Sequence, residues 1–322
     1  MANAIRPLGR RPSDPDRLRR MIRLRLTGIV PPHPAAADHL STVPLWMLGG
    51  NDQFGTCGPT SIANYLVLLY WGLTGEQITV TDNDVFDLYR RSGNPNFNPV
   101  TGADDNGVDM TVMQDALLKG GITITHADGS RELVKPLCYA AVDTDIDTQR
   151  AVTSFAGGVI WGADMQVAQQ NQAVWDYVAG SGLWGGHAIV GGKYSTPASA
   201  KAEDEDVISW QETIGTTDNW VAHQLPESYL PIFPILWAHP DFQAGVDQAQ
   251  LAADYEAVTG RPFPVPVPPP PTGPAPPPPT PPPGPPAPPP NPPAPPNWAL
   301  IAVIAGIAIV VGVVLYFALK GA

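Results

Sequence analysis

Between Pro262 and Pro296 the chain carries 24 prolines in 35 residues, and this run bounds everything else. Proline has no backbone N–H and a fixed φ, so the stretch can supply neither a helix ladder nor strand pairing. It reads as extended polyproline II, and at ~3.1 Å per residue it reaches on the order of 100 Å. The sequence that follows, 298-WALIAVIAGIAIVVGVVLYFAL-319, runs 22 residues without a charge. That is at or just beyond the ~20 that cross a bilayer as a helix. Trp298 lies at one edge and Tyr316 with Lys320 at the other, as interfacial anchors do. The two segments predict a stiff stalk over 261–297 and one membrane-spanning helix over 298–319. A ligand for SH3 or WW modules is the other reading of the proline run. Lys320 is the only charge near the span, so the positive-inside rule places the tail inside. The expected location is a membrane, with a single-pass C-terminal anchor and the main domain on the outer side.

Upstream of the stalk, the expectation is one globular domain over 34–260 behind a basic, flexible arm over 1–33. Eight of the 18 basic residues lie in the first 25 positions against only Asp14 and Asp16, while the whole chain carries −12. The body is therefore acidic and poor in lysine, which argues against phosphate-backbone binding by the domain. Any contact with nucleic acid falls to the arginine arm. The arm includes 17-RLRRMIRLRL-26, which also fits a short amphipathic element or a pro-segment. No apolar core follows its charges, so it does not read as a secretory signal. The two cysteines, Cys57 and Cys138, allow one disulfide but lack the spacing of a zinc site. No cofactor is expected.

Within the domain, helix signals come first and strand signals follow. Helices are expected over about 59–71, over 82–91 with Thr81 as cap, and over VDMTVMQDALLKGG. A fourth precedes the apolar strand 158-GVIWGADM-165. Further strands are expected at 187-HAIVGGKYS-195 and 207-VISW-210. A last amphipathic segment, 247-DQAQLAADYEAV-258, closes the domain. This order predicts an α+β class rather than alternating βαβ units.

The chemistry centres on 51-NDQFGTCGPTSIANYLVLLYWGL-73. A helix N-terminus lowers a thiol pKa through unpaired backbone donors and the positive end of the dipole. Cys57 is placed for that, with Pro59 suited to a first helical turn. The spacing alone fits a buried core cysteine equally well. A cysteine nucleophile also needs a base, most often a histidine from elsewhere in the chain. Of His33, His39, His126, His187, His223 and His239, only His187 opens an apolar strand directly after a glycine pair, in 183-LWGGHAIVGGKYS-195. A satisfied core histidine is the plain alternative.

Cys-Gly at the start of a long helix, then Gly-His-Ala about 130 residues later, then 209-SW-210, resembles the papain-like cysteine peptidases. The resemblance covers roughly 45–220. It is similar, in particular, to a papain-like group of phage and bacterial proteins with an LGN-D-x-x-G-x-C turn, matched by 48-LGGNDQFGTC-57. It implies a papain-like α+β fold with the cysteine at a helix N-terminus and a C-terminal antiparallel sheet. It further implies Cys57 as nucleophile, His187 as general base and Asn51 as oxyanion donor in the place of the family's glutamine. Gln53 is the other amide near that turn. Where the family has a histidine-orienting asparagine, this chain has Ile208, which cannot hold an imidazole tautomer. Asp206, two residues earlier on the strand, is the substitute candidate, although it belongs to an acidic run that reads as a solvated turn. The implied partner is a peptide or amide substrate, in a protein or a peptidoglycan cross-link. The opposing expectation, motivated by Asn51 and Ile208, is a catalytically degenerate domain kept as a phage-type surface or virion-associated binding protein.

Overall fold

A computed structural model of the protein describes residues 6–28, 33–195 and 204–265. The expected stalk beyond residue 265 and the expected span 298–319 lie outside the described residues. Among the described residues no helix is long and apolar enough to cross a membrane.

The core is organised around one helix, Cys57–Thr74, in which every residue from Cys57 to Leu69 is buried. Its sequence is largely apolar on every face, with buried Asn64 satisfied by the Met47 backbone, so it is stable only with packing all round. Helices Asp82–Arg91 and Met110–Gly120 cover one flank, and the large sheet covers another. Gly58 permits the closest of these approaches, because a Cβ there would stand 2.5 Å from Val108 Cγ2. The helix ends at Gly75 in the left-handed conformation, where glycine carries no Cβ penalty. Thr81, Asp109 and Asp145 cap the next three helices, each accepting a backbone N–H in the first turn.

The main path of the large sheet runs Cys138–Ala141, Glu227–Ile232, Val159–Gln166, Leu183–Ser195, Glu205–Ser209, Glu212–Thr216 and Val174–Trp175. The first six of these strands pair antiparallel and the last joins in parallel. The 13-residue strand Leu183–Ser195 lies at the centre and carries His187. It pairs with Val159–Gln166 so that Ala163 faces His187 and Gly162 faces Ala188. Cys57–Thr74 packs on this central strand, which brings the cysteine end of the helix to the histidine end of the strand. Helices first and sheet second is the α+β order expected from the sequence.

The N-terminal residues differ from expectation. Residues 6–28 are not a free arm but lie folded on the domain. Arg10–Arg11 forms a short strand, parallel to Val108–Asp109 and antiparallel to the central strand through Arg10 and Gly186. Further along, Leu24 N donates to the Ala141 carbonyl and Ala141 N to the Ile22 carbonyl, and Arg25, Arg23 and Arg17 pair with Asp254, Asp143 and Asp115. The physical reason is charge matching: a basic segment meets acidic partners contributed by distant parts of an acidic body. No local sequence window contains both halves.

Candidate active site

Cys57 is fully buried at the first turn of its helix. Thr56, the preceding residue, spends its hydroxyl on the Gly49 carbonyl at 2.8 Å rather than on capping the helix. The sulfur instead collects backbone donors: Ala188 N–H at 3.4 Å, with Gly9 and Gly58 also pointing at it. Burial nonetheless pushes the thiol pKa up, and these three N–H groups and the Arg10 charge oppose the rise without cancelling it. The depressed thiol expected from the helix N-terminus is therefore not what this state of the protein holds. The cause is the complete burial of the sulfur.

His187 is also fully buried. Its Nε2 shares a 2.6 Å hydrogen bond with Ser209 Oγ, and its ring stacks on Trp210 at 4.4 Å and 19°. Among the described residues its Nδ1 has no hydrogen-bond partner, and it is the backbone N–H of the next residue, Ala188, that meets the Cys57 sulfur. Burial, and next the Arg6 charge, pull this imidazole down to about 3. Trp210 and Gln211 both have positive φ, 49° and 66°, in the two-residue turn between Glu205–Ser209 and Glu212–Thr216. A left-handed tryptophan is strained. The strain is held by the His187 stack, by Trp184 and Trp175 beside it, and by Gln211 Nε2 donating to the Trp46 carbonyl at 2.7 Å.

The other sequence candidates fall differently. Asn51 is buried in the turn before the cysteine helix, and its Oδ1 has no hydrogen-bond partner among the described residues. Gln53 is exposed. Asp206 does not orient His187: its Oδ2 meets Lys193 Nζ at 2.6 Å. The two-residue alternation that aligned Asp206 with Ile208 fails because the pairing register shifts between Asp206 and Val207. Ile208 is core. Ser209, part of the quoted Ser-Trp pair but given no role of its own, holds the imidazole instead. Cys57 and Cys138 are both free thiols, and His126 sits between Glu76 and Glu132, away from the site.

Sequence reasoning missed the residues that fill the site. Leu8 to Arg10 pass directly over Cys57 through a throat lined by Gly55, Gly107 and Gly186. A Cβ on Gly9 would stand 1.9 Å from the Gly55 oxygen, and one on Gly107 would stand 2.3 Å from the Gly9 oxygen. Gly9 O accepts from Val108 N at 2.7 Å. Behind the throat, Tyr89 Oη donates to Asp105 at 2.6 Å and accepts from Gly107 N at 2.7 Å, while Asp105 takes Gly55 N–H at 3.0 Å. Arg10 then turns into the protein. Its Nε meets Glu227 at 2.5 Å and its Nη1 meets Asp164 at 2.5 Å. Burial disfavours the buried guanidinium, but the charges of Glu227 and then Asp164 outweigh it and raise its pKa. Arg6 lies over Trp210 at 5.0 Å and forks onto Glu212.

No protein-family model matches the sequence, and no curated protein matches it. Solved structures do. The chain is similar to xylellain, a cysteine protease from Xylella fastidiosa, at 12% identity and a TM-score of 0.55, over 70% of this chain and 96% of that one. It is also similar to procathepsin B S9 from Trypanosoma congolense, at 10% identity and a TM-score of 0.50, over 71% of this chain and 86% of that one. With a helix-borne cysteine packed against a strand-borne histidine in a mixed sheet, the described residues have the papain-like α+β fold.

Proposed function

We propose that this protein is a papain-like cysteine peptidase or amidase held latent by its own residues 6–11. The observation that carries the reading is the setting of Cys57: a helix N-terminal thiol with backbone donors aimed at its sulfur, packed beside the strand that carries His187. The similar solved proteins are by name a cysteine protease and a procathepsin. In the reaction, His187 takes the Cys57 proton and the thiolate adds to the substrate carbonyl carbon. The oxyanion is met by the Cys57 N–H and the Asn51 amide. The C–N bond breaks, the leaving amine receives the proton from His187, and water then hydrolyses the thioester to return the free thiol. Ser209 holds Nε2, which leaves Nδ1 as the nitrogen that exchanges the proton with the cysteine.

The self-segment does not present a scissile bond. It offers the sulfur an N–H from Gly9, and the Gly9 carbonyl is spent on Val108 N. A raised thiol pKa and a lowered imidazole pKa are those of an uncharged resting pair. The reading also takes residues 298–319 as a membrane anchor and 261–297 as its stalk, supported by the uncharged 22-residue span and by the proline run. The domain then acts on peptide or amide bonds at a membrane's outer side.

The test is hydrolysis of a mixed fluorogenic peptide library by the full chain carrying Gly9→Ala, which loosens the segment. Turnover that disappears with Cys57→Ser and His187→Ala supports the proposal. The opposing reading, a degenerate binding domain, is favoured by one observation, the unbonded Nδ1 of His187. It wins if the loosened chain neither hydrolyses peptides nor alkylates at Cys57 faster than a free thiol.

A further inference from the structure

The two carboxylates that receive Arg10, a buried Glu227 and a half-exposed Asp164, form a built pocket, and its construction says more than that a segment is tied down. Glu227 is 5% exposed and comes from a strand at the far side of Val159–Gln166. Its second oxygen accepts from Tyr229 Oη at 2.6 Å, which fixes the carboxylate in one orientation. Space for the guanidinium comes from Gly162 in the middle of a strand, where a Cβ would stand 2.9 Å from Arg10 Nε and 2.7 Å from Glu227 Cγ. A glycine inside a strand marks a place where something approaches closely. Asp164, on the same strand, closes the outer side, and the Ala163 carbonyl accepts from Nη1 at 3.3 Å. The pocket opens beside Cys57, close enough that the Arg10 charge bears on the sulfur.

When the segment leaves, Glu227 is stranded. A buried carboxylate without its cation is strongly disfavoured, and a guanidinium, whose fork reaches Glu227 and Asp164 together, fills the pocket best. The throat above Cys57 sets a second condition. Gly55, Gly107 and Gly186 close on the chain so tightly that a side chain at the Gly9 position meets backbone rather than open space.

We propose that the open site recognises peptides in which an arginine adjoins a glycine, with the guanidinium held by Glu227 and Asp164 and the glycine over Cys57. This rests on the peptidase reading and names the substrate class for it. Residues 8-LGR-10 occupy the site because they carry the same two features, and their order in a bound substrate is either Arg-Gly or Gly-Arg.

The experiment uses the full chain with Arg10→Ala, which empties the pocket. Arg10→Met, keeping the stem and dropping the charge, replaces it if the alanine chain loses its near-UV signal. Blocked peptides Leu-Arg-Gly and Leu-Gly-Arg, and their norleucine counterparts, are titrated against alkylation of Cys57 by iodoacetamide. At least one arginine peptide should protect Cys57 at a tenfold lower concentration than its norleucine counterpart. That preference should vanish when Glu227→Gln or Gly162→Ala is added, and alanine in place of the peptide glycine should weaken protection tenfold. Equal protection by arginine and norleucine peptides, or a preference that survives Glu227→Gln, overturns the proposal. Hydrolysis of the same peptides is read in parallel. Arginine-selective protection without hydrolysis removes the peptidase reading and leaves this pocket standing, whereas hydrolysis indifferent to arginine does the reverse.

Discussion

Replacing Gly9 by alanine isolates the cover from the fold. The new Cβ would stand 1.9, 2.3 and 2.4 Å from three backbone atoms of Gly55, and contacts under 3.0 Å do not persist. Gly55 cannot retreat, since its N–H is held by Asp105 at 3.0 Å and Asp105 by Tyr89 at 2.6 Å. The segment must therefore move by more than 1 Å. That breaks the 2.7 Å bond from Val108 N to Gly9 O and the Gly9 N–H contact to the sulfur. One hydrogen bond at about 1 kcal/mol, with a strained charged bond at Arg10 worth about 1.5–3, amounts to roughly 2.5–4 kcal/mol against the closed segment. At 1.4 kcal/mol per decade, opening becomes about 10²–10³-fold more frequent. Alkylation of Cys57 by iodoacetamide, followed by intact mass and peptide mapping at neutral pH, should accelerate by on the order of a hundredfold. Cys138 is the internal control. It is 1% exposed on a strand at the sheet end, and burial pushes its thiol up to about 12. It reacts only when the domain itself opens. Unchanged Cys57 kinetics, or equal acceleration at both cysteines, refutes the covering role of Leu8 to Arg10.

Four further outcomes are expected. Ser209→Ala strands a buried Nε2, costing about 1–3 kcal/mol in thermal denaturation and at least tenfold in turnover of the loosened chain. Asp206→Asn keeps turnover within about twofold, because its carboxylate serves Lys193, and a larger loss would return Asp206 to the site. Acid should loosen the cover. His187 is held near 3 from an ordinary 6.5, so the stability tied to its neutral ring is intact above about pH 6.5 and is lost as pH falls towards 3. Hydrogen exchange of residues 6–11 should quicken across that window in the native chain and less so with His187→Gln, and flat exchange in both contradicts the argument. Tyr89→Phe removes the hydroxyl that joins Asp105 to Gly107, so melting falls by about 1–3 kcal/mol and Cys57 alkylation rises relative to Cys138.

The parts of this structure that were legible in the sequence are those encoded locally. A largely apolar run behind Cys-Gly-Pro can be little other than a buried helix, and it begins at Cys57, two residues before the expected start. Thr81 and Asp247 announce their helices because capping is a contact of three residues' reach. His187 was found because a glycine pair before an apolar strand is unusual in its immediate surroundings. The cover was not legible. Arg10 meets Asp164 and Glu227 across 154 and 217 residues, and in isolation it is one arginine among eight in a basic stretch. The signal that could have raised it is the glycine spacing: Gly9 in 8-LGRR-11, and Gly162 inside the apolar strand VIWGADM. Each marks a close approach, but neither says to what.

The same contacts also decide how the departures from the family pattern are to be weighed. Ile208 was expected to leave the histidine without an orienting partner, and that expectation assumed regular alternation along 205–209. The register shift at Asp206/Val207 and the left-handed turn at Trp210 bring Ser209 to the imidazole instead, at 2.6 Å. A hydroxyl both donates and accepts, so it serves the neutral ring of the covered state and the charged ring of catalysis alike. An amide side chain oriented to accept would bond Nε2–H of the neutral and the charged ring alike, but would fix that one tautomer. The raised thiol and the lowered imidazole share one cause, burial, with residues 6–11 among what lies against them. Lifting that segment rehydrates thiol and ring together, and it takes the Arg6 charge away from the imidazole. Each change favours the ion pair that a cysteine nucleophile requires. On the proposed reading the neutral pair belongs to the covered state, and its conversion on opening is what would separate a latent enzyme from a retired one.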